Sequence, residues 1–225
     1  MDTHDADTTA RRPGPKPLQS SSPRTQYLIL YNFVSALLWV VVLGRVLILV
    51  PLVGFGRTYS GVGRFTKWTQ TAALLEVIHA ASGLVRAPIS TTGMQVASRL
   101  LLVWGVVNNF PVLAKSSAYS SMLVAWSVTE VIRYSYFVLS LSGYQPRAVT
   151  WLRYNAFYML YPLGISSECW LIFKAIEPAR RLRQEYAWFL QLILLVYIPG
   201  SYILFTHMMA QRRKVMKGRQ ANKAE

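Results

Sequence analysis

The chain has 225 residues, 53% of them hydrophobic and 15% charged, with a mean hydropathy of +0.29. Soluble domains carry about 25% charged residues, so an ordinary water-soluble fold is excluded and a membrane protein is indicated. The net charge of +15 comes from Lys and Arg scattered between apolar runs, which excludes a nucleic-acid partner, and the single cysteine, Cys169, excludes an internal disulfide.

Residues 1–26 are polar, rich in Pro and Ser, and without periodicity, which predicts a disordered N-terminal tail. The tail lacks the apolar core of a signal peptide, and Asp2, Asp5 and Asp7 argue against a mitochondrial presequence. The first apolar run is therefore expected to remain as a membrane anchor. Six runs then follow that are long enough to cross a hydrocarbon core of about 20 helical residues: 27–50, 67–85, 94–113, 119–141, 151–176 and 187–209. The second, "KWTQTAALLEVIHAASGLV", is only moderately apolar. Lipid cannot satisfy exposed backbone, so each run is predicted to be helical. The predicted fold is an all-α bundle of six transmembrane helices over 27–209, with a basic tail at 210–225. An even number of crossings puts both termini on one side. That side carries 13 of the 24 Lys and Arg against 8 on the other, which predicts cytosolic termini, with the basic tail beside anionic lipid heads.

Three of the nine acidic residues, Glu76, Glu130 and Glu168, fall inside predicted spans. Each costs about 3 kcal/mol at a helix centre and needs a partner or a task. Arg45, Arg99, Arg133 and Arg153 are the available partners. Glu130 and Arg133 are three apart and share a helix face, as do Glu76 and His79, so these groups read as structural pairs or as substrate-facing polar residues. No second His or Cys stands at metal-ligand spacing, and no metal site is expected. Glu168 has no arginine three or four residues away. Tyr161, seven residues earlier, projects from nearly the same helix face, with Pro162 and Gly164 between them expected to open the helix. A carboxyl in such apolar surroundings suits proton transfer near neutral pH, and equally suits a capped or water-bridged role beside a kink.

The stretches "WLRYNAFYMLYPLGISSE", "WSVTEVIRYSYFVLSL", "LEVIHAASGLVR" and "YLILYN" resemble the (3R)-3-hydroxyacyl-CoA dehydratases of very-long-chain fatty acid elongation, the protein-tyrosine-phosphatase-like family. The resemblance extends over about 27–209. It implies a six-helix, multi-pass protein of the endoplasmic reticulum membrane that converts (3R)-3-hydroxyacyl-CoA to trans-2-enoyl-CoA without a cofactor. It also implies that Tyr161 and Glu168 are the catalytic pair, and that the partners are an acyl-CoA substrate, membrane lipid and the other elongation enzymes: ketoacyl-CoA synthase, ketoacyl-CoA reductase and enoyl-CoA reductase. The absence of a Gly-rich dinucleotide fingerprint argues against a reductase. The anionic CoA must stay in water, and Arg86, Arg147 and Arg153 near the predicted cytosolic face are candidates for its phosphates, or plain topological charges. Two alternatives belong to other classes. One is a non-catalytic scaffold for the elongation enzymes. The other is a catalytically dead, phosphotyrosine-binding protein: "HAASGLVR" has the His79 and Arg86 of a phosphatase motif, but Ala80 replaces the nucleophilic cysteine.

Overall fold

The computed structural model describes residues 22–224. The predicted disordered tail therefore lies outside the described residues over 1–21, and its last residues already belong to the first helix. Helix α1, Pro23–Val53, starts with Ser22 as its N-cap, the Ser22 hydroxyl accepting from the Thr25 backbone N–H at 3.3 Å, and with proline at the first helical position. Its buried residues, Leu28, Asn32, Ala36, Trp39, Val42 and Val46, recur every three or four positions and form one stripe. The rest of the helix is also apolar and faces outward, with Leu30, Leu47 and Ile48 each about 60% exposed. A helix that is apolar all round but buried on only one stripe is stable where lipid covers the remainder.

Gly54, at φ +74°, joins α1 to α2, Phe55–Ala72. The left-handed backbone there suits a residue without Cβ. The chain continues through α3, Leu74–Ala81, and α4, Ile89–Leu100, which runs on as a π-helical segment, Leu101–Val107, and then a short 3-10 turn, Pro111–Lys115. Helices α5, Ser117–Leu141, α6, Arg147–Asn155, α7, Phe157–Leu182, and α8, Gln184–Ala224, complete the chain. No strand occurs among the described residues. The last helix continues unbroken into the predicted C-terminal tail as far as Ala224.

The core is built around α5, which packs on α1 and α7, while α7 also packs on α8. Neighbouring passes run antiparallel. Tyr31 near the start of α1 meets Tyr134 near the end of α5, and Tyr27 Oη lies 2.8 Å from His79 Nε2 at the end of α3. Arg24 donates to the Gly83 carbonyl at 2.9 Å, and Arg212 of α8 donates to Asn155 Oδ1 at 3.0 Å. These contacts put the start of α1, the α3–α4 loop, the α6–α7 junction and the distal part of α8 at one end of the bundle.

Helices α1, α5 and α8 (over Gln184–Ala210) are long and apolar enough to cross a membrane, and the pair α6–α7, bent by 40°, makes a fourth candidate. The second predicted run is helical but interrupted at Ala73, and the third combines part of α4 with the π-helical segment and 3-10 turn. The predicted opening of the fifth helix at Pro162–Gly164 is not where the bend falls. Helix α7 runs through both residues, and the break is at Ala156, upstream. A proline ring clashes with the turn before it, so the chain bends on the N-terminal side.

Candidate active site

Two polar clusters lie within this apolar bundle. The first is centred on Glu168, whose side chain is buried among α5, α7 and α8. Trp126 of α5 donates its indole N–H to Glu168 Oε1 at 2.8 Å, and Tyr197 of α8 donates its hydroxyl to Oε2 at 3.1 Å. Each carboxylate oxygen thus has one donor and retains acceptor capacity. Gly164, one turn earlier, faces α5 and the carboxylate: a Cβ there would lie 3.7 Å from Ala125 Cβ and 3.9 Å from Glu168 Oε1, ordinary contact distances. The Arg99 guanidinium lies over the Trp126 ring at 5.0 Å, which brings a positive charge to the far side of the indole that holds Glu168.

Tyr161 is half-buried on the same helix. Its hydroxyl donates to the Ser201 carbonyl of α8 at 2.9 Å, and its ring stacks on Phe205 at 5.9 Å. The contacts of Tyr161 and Glu168 on α8 are therefore Ser201 and Tyr197, four residues apart, which is about 6 Å along a helix. The two groups face the same seam between α7 and α8 without touching one another. Seven residues along α7 is about 10 Å, so a substrate reached by both groups must lie along this seam. Neither Trp126 nor Tyr197 was singled out from the sequence. Tyr197 carried a usable signal, since a hydroxyl in the apolar run "LLVYIPG" needs a partner.

The second cluster joins α3, α4 and α5. Glu130, 1% exposed, accepts from Arg99 through Oε1 and from Arg133 Nε at 2.6 Å through Oε2. Arg133 also grips Glu76 in a bidentate pair, both contacts at 2.7 Å, and Tyr134 donates to Glu76. The Glu130–Arg133 pairing expected from spacing is thus present, within a larger alternation of charges. The expected Glu76–His79 pair is replaced. Glu76 turns to the guanidinium of α5, a stronger partner than a neutral imidazole, and His79 pairs with Tyr27. Beside this network lies a space of ≈ 10 Å³, lined in part by Gln70, Gln95, Glu130 and Arg133. That is about one water molecule in size, and the buried Gln70 Oε1, with no protein partner, is available to bind one.

The three candidate CoA-binding arginines are not equivalent. Arg86, in the α3–α4 loop, and Arg147, at the start of α6, are exposed. Arg153 is half-buried and lies over the rings of Tyr136 and Phe137 at 4.8 and 4.9 Å. Ala80, where a phosphatase would need its cysteine, is buried in α3, so the motif offers no nucleophile. Among the described residues, no group of three or more His, Cys, Asp or Glu comes together as a metal site.

Residues 70–218 match the family model described as "Protein tyrosine phosphatase-like protein, PTPLA". The chain is 42% identical over 201 residues to a probable very-long-chain (3R)-3-hydroxyacyl-CoA dehydratase of Schizosaccharomyces pombe, covering 86% of this chain and 94% of that protein. It is 39% identical over 210 residues to the very-long-chain (3R)-3-hydroxyacyl-CoA dehydratase PASTICCINO 2B of rice, covering 87% and 95%. It is 33% identical over 213 residues to the human very-long-chain (3R)-3-hydroxyacyl-CoA dehydratase 2, covering 88% and 84%. No solved structure matches the chain.

Proposed function

The chain belongs to the protein tyrosine phosphatase-like family, and from that premise we infer that it is a very-long-chain (3R)-3-hydroxyacyl-CoA dehydratase, a hydro-lyase that releases water and trans-2-enoyl-CoA. The observation that supports this reading at the level of the site is that Tyr161 and Glu168 both hydrogen-bond α8 along one seam. Elimination needs a base at C2 and an acid for the departing C3 hydroxyl. In the proposed mechanism, Glu168 takes the C2 proton while Trp126 and Tyr197 hold its carboxylate. The C2–H electron pair forms the new double bond, the C3–O bond breaks, and Tyr161 gives its phenolic proton to the leaving hydroxyl. Transfer of the captured proton back to Tyr161 resets the site. In the structure the single Tyr161 proton is committed to the Ser201 carbonyl, so substrate must replace that acceptor. Purified protein supplied with 3-hydroxyacyl-CoA of several chain lengths is the direct assay, and a folded preparation that forms no enoyl product overturns the reading.

Tyr161 lies four residues into α7, about 6 Å from its start, and so near the end of the bundle that holds Arg86 and Arg147. We propose that CoA docks at that end, with Arg86 and Arg147 on its phosphates and the acyl chain running deeper between helices. Arg153, half-buried over two neighbouring rings of α5, orients the α5–α6 corner instead of meeting the phosphates directly. Replacing Arg86 and Arg147 by Gln is expected to raise KM several-fold at constant kcat. An unchanged KM, or the same effect from Arg180, Arg181 and Arg183, would place CoA elsewhere.

The proposed setting is the endoplasmic reticulum membrane, crossed six times, with both termini cytosolic and the protein working beside the ketoacyl-CoA synthase, ketoacyl-CoA reductase and enoyl-CoA reductase of the elongation cycle. The six apolar runs of the sequence and the Lys/Arg asymmetry support it. Residues 54–64 fall between the first two predicted apolar runs, where a loop would be expected. That segment is instead the first half of α2. An acceptor carried on a flexible insert at Arg183, between α7 and α8, should be glycosylated in microsomes, and acceptors appended to either terminus should not. The opposite pattern reverses the orientation.

A further inference from the structure

At the end of the bundle opposite the termini, a groove of ≈ 400 Å³ opens between α1 and α2, lined by Arg45, Ser60, Gly61, Arg64, Phe65 and Trp68. Arg45 interrupts an otherwise apolar face of α1, eight residues and so about 12 Å before the helix ends at Val53. A guanidinium carries five N–H donors. Arg45 donates to the Gly61 carbonyl at 3.1 Å and lies 4.7 Å above the Phe65 ring, contacts that leave its charge unneutralised. Arg64, exposed on α2, has no hydrogen bond or ion pair among the described residues. No carboxylate lines the groove. Two exposed cations facing one concavity at the edge of an apolar helix favour an anion from outside the chain.

We propose that this groove binds an anionic phospholipid. The phosphodiester sits between Arg45 and Arg64, matching two guanidinium forks to phosphate oxygens. The glycerol region lies against Phe65 and Trp68, an amphipathic ring that is 57% exposed and of the kind that settles at membrane interfaces. The acyl chains run inward along the face of α1 that carries Arg45, where Val41, Leu37 and Val34 are 41%, 49% and 45% exposed. A free phosphate would satisfy the arginines and leave that apolar path empty. A lipid satisfies both, since its affinity combines buried apolar area with attraction of its phosphate to the cations. This site is at the far end of the bundle from Arg86 and Arg147, so it stands apart from the proposed substrate site.

The test uses the full chain in detergent, incubated with phosphatidylglycerol, phosphatidylcholine or inorganic phosphate, with bound lipid read by native mass spectrometry and the thermal midpoint read in parallel. Phosphatidylglycerol is expected to bind and raise the midpoint by several degrees, phosphatidylcholine to bind more weakly, and inorganic phosphate to do neither. Arg64→Gln removes no hydrogen bond among the described residues. It should therefore leave the lipid-free midpoint unchanged while reducing bound phosphatidylglycerol several-fold. Arg57→Gln, outside the groove, should leave binding intact. Equal retention of phosphatidylglycerol by the parent and Arg64→Gln overturns the proposal. A stabilisation reproduced by inorganic phosphate alone also overturns it, by showing a simple oxyanion site.

Discussion

Glu168→Gln and Tyr161→Phe are each expected to insert and fold like the parent and to lose turnover by about 10²–10⁴-fold, the usual cost of deleting a general base or acid. Glu168→Gln keeps the side chain's shape while removing the charge. Its amide can still accept one bond, from Trp126 or from Tyr197, but has no basic oxygen for the C2 proton. Tyr161→Phe keeps the stacking on Phe205 and loses only the hydroxyl that meets Ser201. Because neither change opens a cavity, thermal midpoints close to that of the parent should accompany the loss in kcat. Near-normal turnover in either purified variant would dismiss the pair and redirect attention to the Glu76–Glu130 cluster.

Glu130→Gln is expected to act on stability. Both Glu130 oxygens are taken, one by Arg99 and one by Arg133, and the residue is 1% exposed. Neutralising it leaves two guanidiniums and only the Glu76 carboxylate to balance them. Removing one partner of a buried ion pair costs about 3–5 kcal/mol, which for a chain of this size lowers the thermal midpoint by roughly 10 °C. Adding Arg99→Gln restores the charge balance and should recover part of that loss, although Arg99 also lies over the indole that holds Glu168. A Glu130→Gln midpoint within about 3 °C of the parent would mean that the network contributes little and that Glu130 is free for another task.

The helical character and the membrane setting were legible because they depend on local composition. A run of about 20 apolar residues excludes water whatever packs beside it. The Glu130–Arg133 contact was legible for a similar reason, since three residues along a helix always share a face. Where the α6–α7 bend falls was less so: Pro162 announces a disturbance, but its steric effect is on the turn before it, and the packing of α6 against α5 and α8 decides that the chain yields at Ala156.

By itself the sequence determined the apolar runs, the placing of Tyr161 and Glu168 on one face of a single helix, and the absence of a phosphatase nucleophile at Ala80. Only the tertiary structure decided what those groups meet. Trp126 and Tyr197 are 42 and 29 residues from Glu168, and Glu76 is 57 from Arg133. No local spacing encodes such distances along the chain. In an apolar interior each polar group takes the strongest partner that helix packing brings within reach, so the pairing of Glu76 with Arg133 over His79, and the hold of two helices on Glu168, follow from how α5 and α8 lie against α3 and α7.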